Sequence, residues 1–265
     1  MTFSLPRLTF AGLALGAVIL TAAALSGRQS AVAGTDAFDA GQKAAIEAII
    51  KDYLIKNPEI LNDMQVAYER KAEEARNVAF NKALTENGKE LFNIKTIPVA
   101  GDPKGDVTVF EFFDYNCPHC RDAIDPLSKL IDTDKKVRVE FVDLSIIGGQ
   151  TSEMTAKVVL AAARQGKYWE LHKALMQRPG QVTRDIALKE AEKLGLDMGK
   201  LKVDMDGPEV AAILQSNDEL RTKLKIEGTP HFIVGDQFLS GTPPDLYAEL
   251  TNLIGGVRKN GCKVC

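Results

Sequence analysis

The stretch at residues 112–121, FFDYNCPHCR, holds two of the four cysteines of this 265-residue chain, Cys117 and Cys120. A proline and a histidine separate them, and an apolar run precedes them. A pair with this spacing can be a redox-active dithiol, half of a metal site or an inert structural disulfide. The sequence around the stretch distinguishes these uses.

The pattern on either side of the pair predicts an α/β domain. Residues 107–113 are apolar at nearly every position, which is typical of a strand covered on both faces. The other predicted elements are a helix at 118–131, a strand at 137–144, helical periodicity throughout 152–225, strands at 232–234 and 237–240, and a helix at 244–258. This order is the outline of a thioredoxin-like fold with a helical insertion at about 150–226.

A helical region precedes this domain and extends over residues 40–92. Apolar residues recur at helical spacing from Ile46 to Leu54, and Asn57-Pro58 then interrupts the pattern. Beyond it the apolar stripe is thin, and most positions from Glu69 to Arg76 are charged. Such a region is either a solvated helix or an oligomerisation arm that packs against copies of itself. We assign an N-terminal helical oligomerisation arm and linker to residues 34–95 and the thioredoxin domain to residues 96–258.

Residues 1–33 predict a targeting segment, because they contain two arginines and no Asp, Glu or Lys. An apolar stretch leads to Ala31-Val32-Ala33, a small-x-small pattern that predicts cleavage of a signal peptide after Ala33. An uncleaved membrane anchor is the alternative. The full chain has 33 basic and 36 acidic side chains, so cleavage leaves 31 basic residues and a net charge of −5. This charge does not favour nucleic acid as a partner.

The predicted position of Cys117, between a buried strand and a helix, favours a reactive thiolate. Free backbone N–H groups and the helix dipole at such a position stabilise negative charge, and the thiolate is the form that attacks disulfides. His119 adds to this effect if it donates to the Cys117 sulfur, and Pro118 in the first turn costs no hydrogen bond. Cys120, one turn further into the helix, would resolve the mixed disulfide.

Glu111 is a carboxylate within the apolar strand, six residues before Cys117. If it is buried, its pKa is raised and it can exchange a proton with Cys120. Alternatively, strand twist brings its carboxylate to solvent or to a lysine.

The motifs FEFFDYNCPHC and GTPHFIVG resemble the DsbA family of periplasmic thiol:disulfide oxidoreductases, over about residues 97–257. This resemblance implies that Cys117 is the nucleophile, that Cys120 is the resolving cysteine and that Glu111 is the buried acid of the family. It also implies that Thr229-Pro230 forms a cis-proline loop beside the active-site sulfur and binds the client backbone. No cofactor is expected, and His172, in a segment that resembles the helical insertion, is predicted to be a packed core residue.

The N-terminal segment IKDYLIKNPEILNDMQ is similar to the arm of a DsbA-like branch that includes the ScsC and Com1 proteins. That similarity implies a homotrimer and disulfide isomerase activity on exported client proteins with cysteines. Threonine before the proline also resembles the DsbC-type isomerases. An isomerase requires Cys117 in the reduced state, which implies a membrane redox partner of the DsbD or ScsB type.

The tail, residues 259–265, contains a second CxxC pair, Cys262 and Cys265. Its terminal position and its glycine predict a flexible segment. The pair can form a short-loop disulfide, a redox relay to Cys117 or a soft-metal site, and with the first pair it formally permits a four-thiolate zinc site. We favour a disulfide without an assigned role.

The sequence thus predicts a periplasmic thiol:disulfide interchange enzyme that acts as an isomerase or reductase through its CPHC dithiol. A DsbA-like oxidase that is recharged by a DsbB-type partner is the first alternative. A periplasmic copper or zinc carrier and a non-enzymatic chaperone are the alternatives from other classes.

Overall fold

The computed structural model describes residues 38–265 and divides them into two units, residues 38–64 and residues 65–265. The predicted signal peptide and its cleavage site after Ala33 lie outside the described residues. Within residues 38–265, no helix combines the length and the apolar character that are needed to cross a membrane.

The first unit is helical and exposes much of its apolar surface. Helix α1 (Ala40–Lys56) begins with a capping box, in which Asp39 accepts from the backbone N–H of Gln42 and the Gln42 side chain accepts from that of Asp39. No residue of α1 is buried. Helix α2 (Glu59–Asn93) begins in this unit. The exposed large apolar residues of the unit are Phe38, Ile46, Ile49, Ile50, Tyr53, Leu54, Ile55, Leu61 and Met64.

The second unit is built on a five-stranded mixed sheet with the order β1-β3-β2-β4-β5. Its strands are β1 (Val99–Gly101), β2 (Val107–Phe113), β3 (Val137–Asp143), β4 (His231–Val234) and β5 (Gln237–Ser240). Strands β2 and β3 are parallel and every other neighbouring pair is antiparallel. The central strand β2 is apolar at nearly every position because helices cover both of its faces.

The helices of this unit are, besides the second part of α2, α3 (Pro118–Thr133), α4 (Gln150–Ala163), α5 (Tyr168–Met176), α6 (Arg184–Lys193), α7 (Met198–Met205), α8 (Pro208–Leu224) and α9 (Leu246–Asn260). One face of the sheet packs with α3 to α7 and α9 in the larger hydrophobic cluster. The opposite face packs with α2 and α8 in a smaller cluster. The parallel β2-α3-β3 unit, the helical insertion from α4 to α8 and the final β4-β5-α9 unit confirm the predicted fold.

The second part of α2 belongs to the core of this unit. Phe80, Leu84 and Leu91 are buried in the smaller cluster, against Phe110 and Phe112 of β2. The predicted boundary at residue 95 therefore differs from the division in the structure, which falls after residue 64. The apolar residues of α2 after position 79 bury against the sheet, and the sequence pattern alone did not reveal that partner.

Two elements were not separately predicted. Strand β1 has three residues and pairs with β3 at the edge of the sheet, so it is too short for an alternating pattern. Helix α7 lay within the stretch of helical periodicity, and it buries only Leu201 and Met205.

Candidate active site

Both cysteines of the CPHC motif lie where β2 gives way to α3. Cys117 is the N-cap of α3 in an extended backbone conformation, and Pro118 occupies the first turn. Proline is favoured there because its missing N–H would have no partner in the helix. Cys120 lies one turn further along the helix, and both cysteines are free and buried.

The surroundings of Cys117 lower its pKa to about 5. The largest cause is the hydrogen bond with the Cys120 side chain, and burial opposes the shift. The backbone N–H groups of Cys120 and His119 also lower the pKa of Cys117, as does the Thr229 side chain, whose buried hydroxyl has no other hydrogen-bond partner. Cys117 is therefore a thiolate at neutral pH, which is the nucleophilic form of the residue.

The His119 side chain does not act on Cys117 in the way that the sequence suggested. Its imidazole is 73% exposed, and its Nδ1 lies 3.7 Å from Oδ2 of Asp122. Only the backbone of His119 contributes, through its N–H to the sulfur, while its carbonyl accepts from the Thr242 hydroxyl at 2.8 Å. In an α-helix the side chain of the second residue points outward while its N–H remains free at the N-terminus, which explains this arrangement.

The loop before β4 lies directly against the nucleophile. The Thr229–Pro230 peptide bond is cis. In the protonated form of Cys117, its Sγ donates to the backbone O of Thr229 at 3.3 Å. A cavity of about 370 Å³ adjoins this loop. Its lining includes Arg76 and Phe80 of α2 and His231 of β4. The backbone of Thr229 is therefore placed to pair with an extended chain whose sulfur reaches Cys117.

Glu111 is buried on β2, with only 1% of its surface exposed, and its Oε1 has no hydrogen-bond partner. Burial raises its pKa, and the negative charges of Cys117 and Asp143 raise it further. Burial also raises the pKa of Cys120, and Cys117 and Glu111 add to that shift. The carboxyl group is thus close enough to Cys120 to influence its ionisation, and it can exchange a proton with that thiol.

Sequence reasoning missed the group that holds the loop before Cys117. Asp114, which is buried, accepts hydrogen bonds from the backbone N–H groups of Asn116, Ile147 and Gly148 and from the Ser152 hydroxyl. An aspartate directly after a strand is a signal for such side chain to backbone bonding.

The Asn116 side chain extends this network to the helical insertion. Its Nδ2 donates to the backbone O of Val182 at 3.0 Å, and its Oδ1 accepts from the N–H of Val182 at 2.8 Å. These two hydrogen bonds therefore connect the loop before Cys117 directly to the segment before α6.

His172 is a packed core residue. Its ring lies against Phe113 and Phe141, and its Nδ1 is 3.2 Å from the Tyr115 hydroxyl. Burial lowers its pKa to about 3, so the ring is neutral at neutral pH.

The second CxxC pair lies far from the first. Cys262 and Cys265 form a disulfide and line a cavity of about 580 Å³ beside Val107, the first residue of β2. Cys117 follows the other end of that strand, which is about 20 Å long. At this separation the two cysteine pairs of one chain cannot exchange a disulfide directly, and their four thiolates cannot bind one zinc ion. Within the part of the chain that the structure describes, no group of three or more His, Cys, Asp or Glu side chains could hold a metal ion.

The tail differs from the predicted flexible segment. Val264 is only 5% exposed and packs in the smaller cluster, where it contacts α2 at Gly88. A β-carbon on Gly88 would lie 2.7 Å from Cβ of Val264, so the glycine makes room for the tail. The burial of one apolar side chain opposes fraying at the end of the chain.

Two parts of the chain are similar to known protein families. The DSBA-like thioredoxin domain family matches residues 108–249, and the copper resistance protein ScsC N-terminal domain matches residues 42–75. The thiol:disulfide interchange protein DsbA of Bordetella parapertussis is 26% identical over 174 residues, which cover 63% of this chain and 81% of that protein. Two Na⁺/H⁺ antiporters of Salinispora also match, and the chain spans only 21% and 25% of their length.

Two solved structures share the fold. A thioredoxin-like oxidoreductase from Silicibacter pomeroyi is 41% identical, with a TM-score of 0.60 over 64% of this chain and 96% of that one. A Proteus mirabilis ScsC variant with a linker deletion is 26% identical, with a TM-score of 0.61 over 85% of this chain and 99% of that one. The family match covers more than half of the chain, including both active-site cysteines and the cis-proline loop, so the chain belongs to the family of proteins with a DSBA-like thioredoxin domain.

Proposed function

We propose that the protein is a thiol:disulfide oxidoreductase that acts mainly as a disulfide isomerase or reductase on exported proteins. The observation that carries this proposal is the Cys117 thiolate, whose pKa of about 5 and contact with Thr229 prepare it to attack a disulfide in a chain bound along the loop. The catalytic residues are Cys117 and Cys120, with Glu111 as the proton carrier, while Pro118 and the His119 backbone support the thiolate.

The reaction begins when the Cys117 thiolate attacks one sulfur of a client disulfide. The client S–S bond breaks, a mixed disulfide forms with Cys117, and the second client sulfur leaves as a thiolate. Cys120 then loses its proton to Glu111 and attacks Cys117, which releases a reduced client and an oxidised enzyme. In isomerisation another client thiolate attacks the mixed disulfide instead, and Cys117 leaves reduced.

We further propose that the protein works as a periplasmic homotrimer. The exposed apolar residues of α1 and the match of residues 42–75 to the ScsC N-terminal domain support an oligomerisation arm. Clients would be exported proteins with cysteines, and the redox partner would be a membrane protein of the DsbD or ScsB type. Several active sites in one assembly can hold a misfolded client while its disulfides rearrange.

The low pKa of Cys117 also supports the second candidate, a DsbA-like oxidase that is recharged by a DsbB-type partner. A stabilised thiolate favours the reduced form, and this makes the Cys117–Cys120 disulfide a strong oxidant. Isomerase and oxidase share the same sulfur chemistry, and the redox state that the partner maintains decides between them.

A copper or zinc carrier and a chaperone are weaker candidates. The family of the matched ScsC domain is named for copper resistance, but residues 42–75 contain neither Cys nor His, and Met64 is their only sulfur-containing residue. A carrier would have to use the Cys117–Cys120 thiols. Unchanged client protection by a Cys117→Ser variant would favour the chaperone.

The test is the reactivation of scrambled, fully oxidised ribonuclease by the reduced full-length protein. We expect reactivation by the wild type, and its loss in an Ile49→Glu, Ile50→Glu double variant that places charge on the arm. Glu47→Gln, an exposed polar position on the same helix, is the matched control and should retain activity.

Three results would change the assignment. If the wild type fails to reactivate but its oxidised form rapidly introduces disulfides into reduced ribonuclease, the protein is an oxidase. Reactivation that survives the double variant would contradict a role for the arm. Light scattering on the same proteins would show whether the substitution changes their mass in solution.

A further inference from the structure

A second buried carboxyl group, that of Asp143, interacts with Glu111 and takes no part in the sulfur chemistry described so far. Asp143 ends β3 and is 3% exposed. Neither of its carboxyl oxygens has a hydrogen-bond partner among the described residues. A buried, unpartnered carboxyl group is costly, and an apolar residue would pack there at lower free energy. Its presence therefore points to a role other than packing.

The sheet register places Asp143 on the same face as Glu111. In the parallel pairing of β2 and β3, Glu111 is opposite Phe141 and Phe113 is opposite Asp143. Paired residues point to the same face, so Asp143 is displaced from Glu111 by one strand and two residues. The spacings of a sheet put their Cα atoms about 8 Å apart. The two carboxyl groups share no direct hydrogen bond, and a distance of this size leaves room for one water to bridge them.

This face also carries the active-site helix. Phe113, Phe141, Cys117 and Cys120 all belong to the larger cluster on that side of the sheet. The charge of Glu111 raises the pKa of Cys120, and the charge of Asp143 raises that of Glu111, so Glu111 interacts with both groups.

The charges around the two carboxyl groups allow only one of them to ionise readily. Burial is the main cause that raises the pKa of each, and the Asp143 charge raises the pKa of Glu111 further. Like charges at this separation in a buried site favour a shared proton. The titratable groups that face the pair are Tyr115, Asp114, Tyr168 and His172, and those that line the cavity beside Asp143 are Glu153, Lys157 and Asp218.

We propose that Asp143 is a proton-relay residue that exchanges a proton with Glu111 whenever Cys120 loses or regains its own. As Cys120 attacks the mixed disulfide, its S–H proton passes to Glu111, a proton passes from Glu111 to Asp143, and the client leaves as a thiolate. Reduction of the enzyme disulfide reverses these transfers. Asp143 is a positioning residue in this scheme, because it acts through Glu111 and does not touch the sulfur atoms. The inference rests on the proposed role of Glu111.

A cavity provides the far end of the relay. Asp143 lines a cavity of about 370 Å³ between α4 and α8. Glu153 and Lys157 of α4 line the same cavity and form an ion pair at 2.9 Å. A cavity of this volume holds several waters beside polar groups. Protons can therefore leave the buried pair through this cavity, which lies beside the C-terminal end of β3.

The test compares Asp143→Asn, Glu111→Gln, the double variant and Asp132→Asn in the full-length protein. Asp132 is an exposed aspartate of α3 and serves as the matched control. The measured rate is the release of glutathione from its mixed disulfide with Cys117, between pH 5 and 9. This step requires Cys120 to lose its proton. Alkylation of Cys117 by iodoacetamide does not, and serves as the internal reference.

We expect Asp143→Asn and Glu111→Gln each to slow glutathione release by about tenfold or more and to change its pH profile. The double variant should be no slower than Glu111→Gln alone, because both residues act on one proton. The rate of Cys117 alkylation in Asp143→Asn should stay within about twofold of the wild-type rate. In Asp132→Asn, both the alkylation rate and the rate of glutathione release should do so. Asp143→Glu keeps a carboxyl group at this position, so it should retain most of the wild-type rate of glutathione release and its pH dependence.

Normal glutathione release in Asp143→Asn together with slow release in Glu111→Gln would overturn the relay and leave the role of Glu111 intact. Normal glutathione release in both variants would overturn both the relay and the proposed role of Glu111. If Asp143→Asn does not fold, infrared spectroscopy of wild-type protein with ¹³C-labelled aspartate replaces it. A protonated-carboxyl band that shifts with the label should then differ between the oxidised and reduced states, and its absence would overturn the proposal.

Discussion

Cys117 and Cys120 are identical residues one helical turn apart, and their surroundings give them opposite properties. Hydrogen bonds lower the pKa of Cys117 to about 5, whereas burial raises that of Cys120. The first is a thiolate ready to attack, and the second stays protonated until a base accepts its proton. This difference supports the proposal that Cys117 is the nucleophile and Cys120 the resolving cysteine.

The first prediction concerns the titration of Cys117. Absorbance of the reduced protein at 240 nm should show a thiolate midpoint near pH 5. Thr229→Val removes a hydroxyl that stabilises the thiolate, so its midpoint should rise by roughly one pH unit. Thr251→Val, an exposed threonine of α9 whose hydroxyl donates to the Tyr247 carbonyl, is the control and should titrate like the wild type. An unchanged midpoint in Thr229→Val would contradict the assigned contact.

The second prediction concerns stability and pH. The pKa of Cys117 is lower in the folded reduced protein than the value of about 8.5 in an unfolded chain. The thiolate therefore contributes stability that is fully present above pH 8.5 and is lost as the pH falls through about 5. Urea unfolding of the reduced wild type and of Cys117→Ser, measured from pH 4 to 9, should show a difference that grows with pH. A difference that is constant over this range would exclude the shift.

At the scale of the elements, the C-terminal tail and α2 illustrate how one glycine determines packing. Gly88 lies inside a helix, where glycine costs about 0.5–1 kcal/mol relative to alanine. Its lack of a β-carbon admits Val264, which the Cys262–Cys265 ring presents to the smaller cluster. Tertiary contact thus outweighs helix propensity at this position.

Gly88→Ala should accordingly destabilise the protein by about 1 kcal/mol, because the overlap with Val264 costs more than the helix gains. It should also speed the reduction of the tail disulfide by dithiothreitol. Gly255→Ala is the matched control, since Gly255 lies inside α9 with open space at its β-carbon position, and it should stabilise by about 0.5–1 kcal/mol. Equal effects of the two substitutions would show that Val264 does not pack against α2.

At the scale of the whole molecule, the arm and the catalytic domain share α2. The first unit ends after residue 64, whereas Phe80, Leu84 and Leu91 of the same helix are buried in the second. A truncation that is meant to test the arm must therefore end before the buried part of α2.

Deletion of residues 38–64 should leave a folded domain with an unchanged Cys117 midpoint. Deletion to residue 93 should prevent folding, because each of Phe80, Leu84 and Leu91 contributes about 2–5 kcal/mol of core packing, and their sum approaches the whole stability of a domain. Circular dichroism and thermal unfolding of both deletions check this expectation. Cooperative unfolding of the longer deletion would show that α2 is dispensable to the core.

The sequence by itself determined the strand, the helix that starts at Cys117 and the α/β order of the domain, because a continuous apolar run and helix-start signals are local. It also indicated Glu111, since a carboxylate in an apolar strand is visible without a structure. The family resemblance also implied the cis-proline loop at Thr229-Pro230, which the structure shows. Only the tertiary structure decided the outward imidazole of His119 and the place of Val264 against α2. The second acid, Asp143, also depended on it, because strand register and unpartnered oxygens arise from contacts between residues distant in sequence.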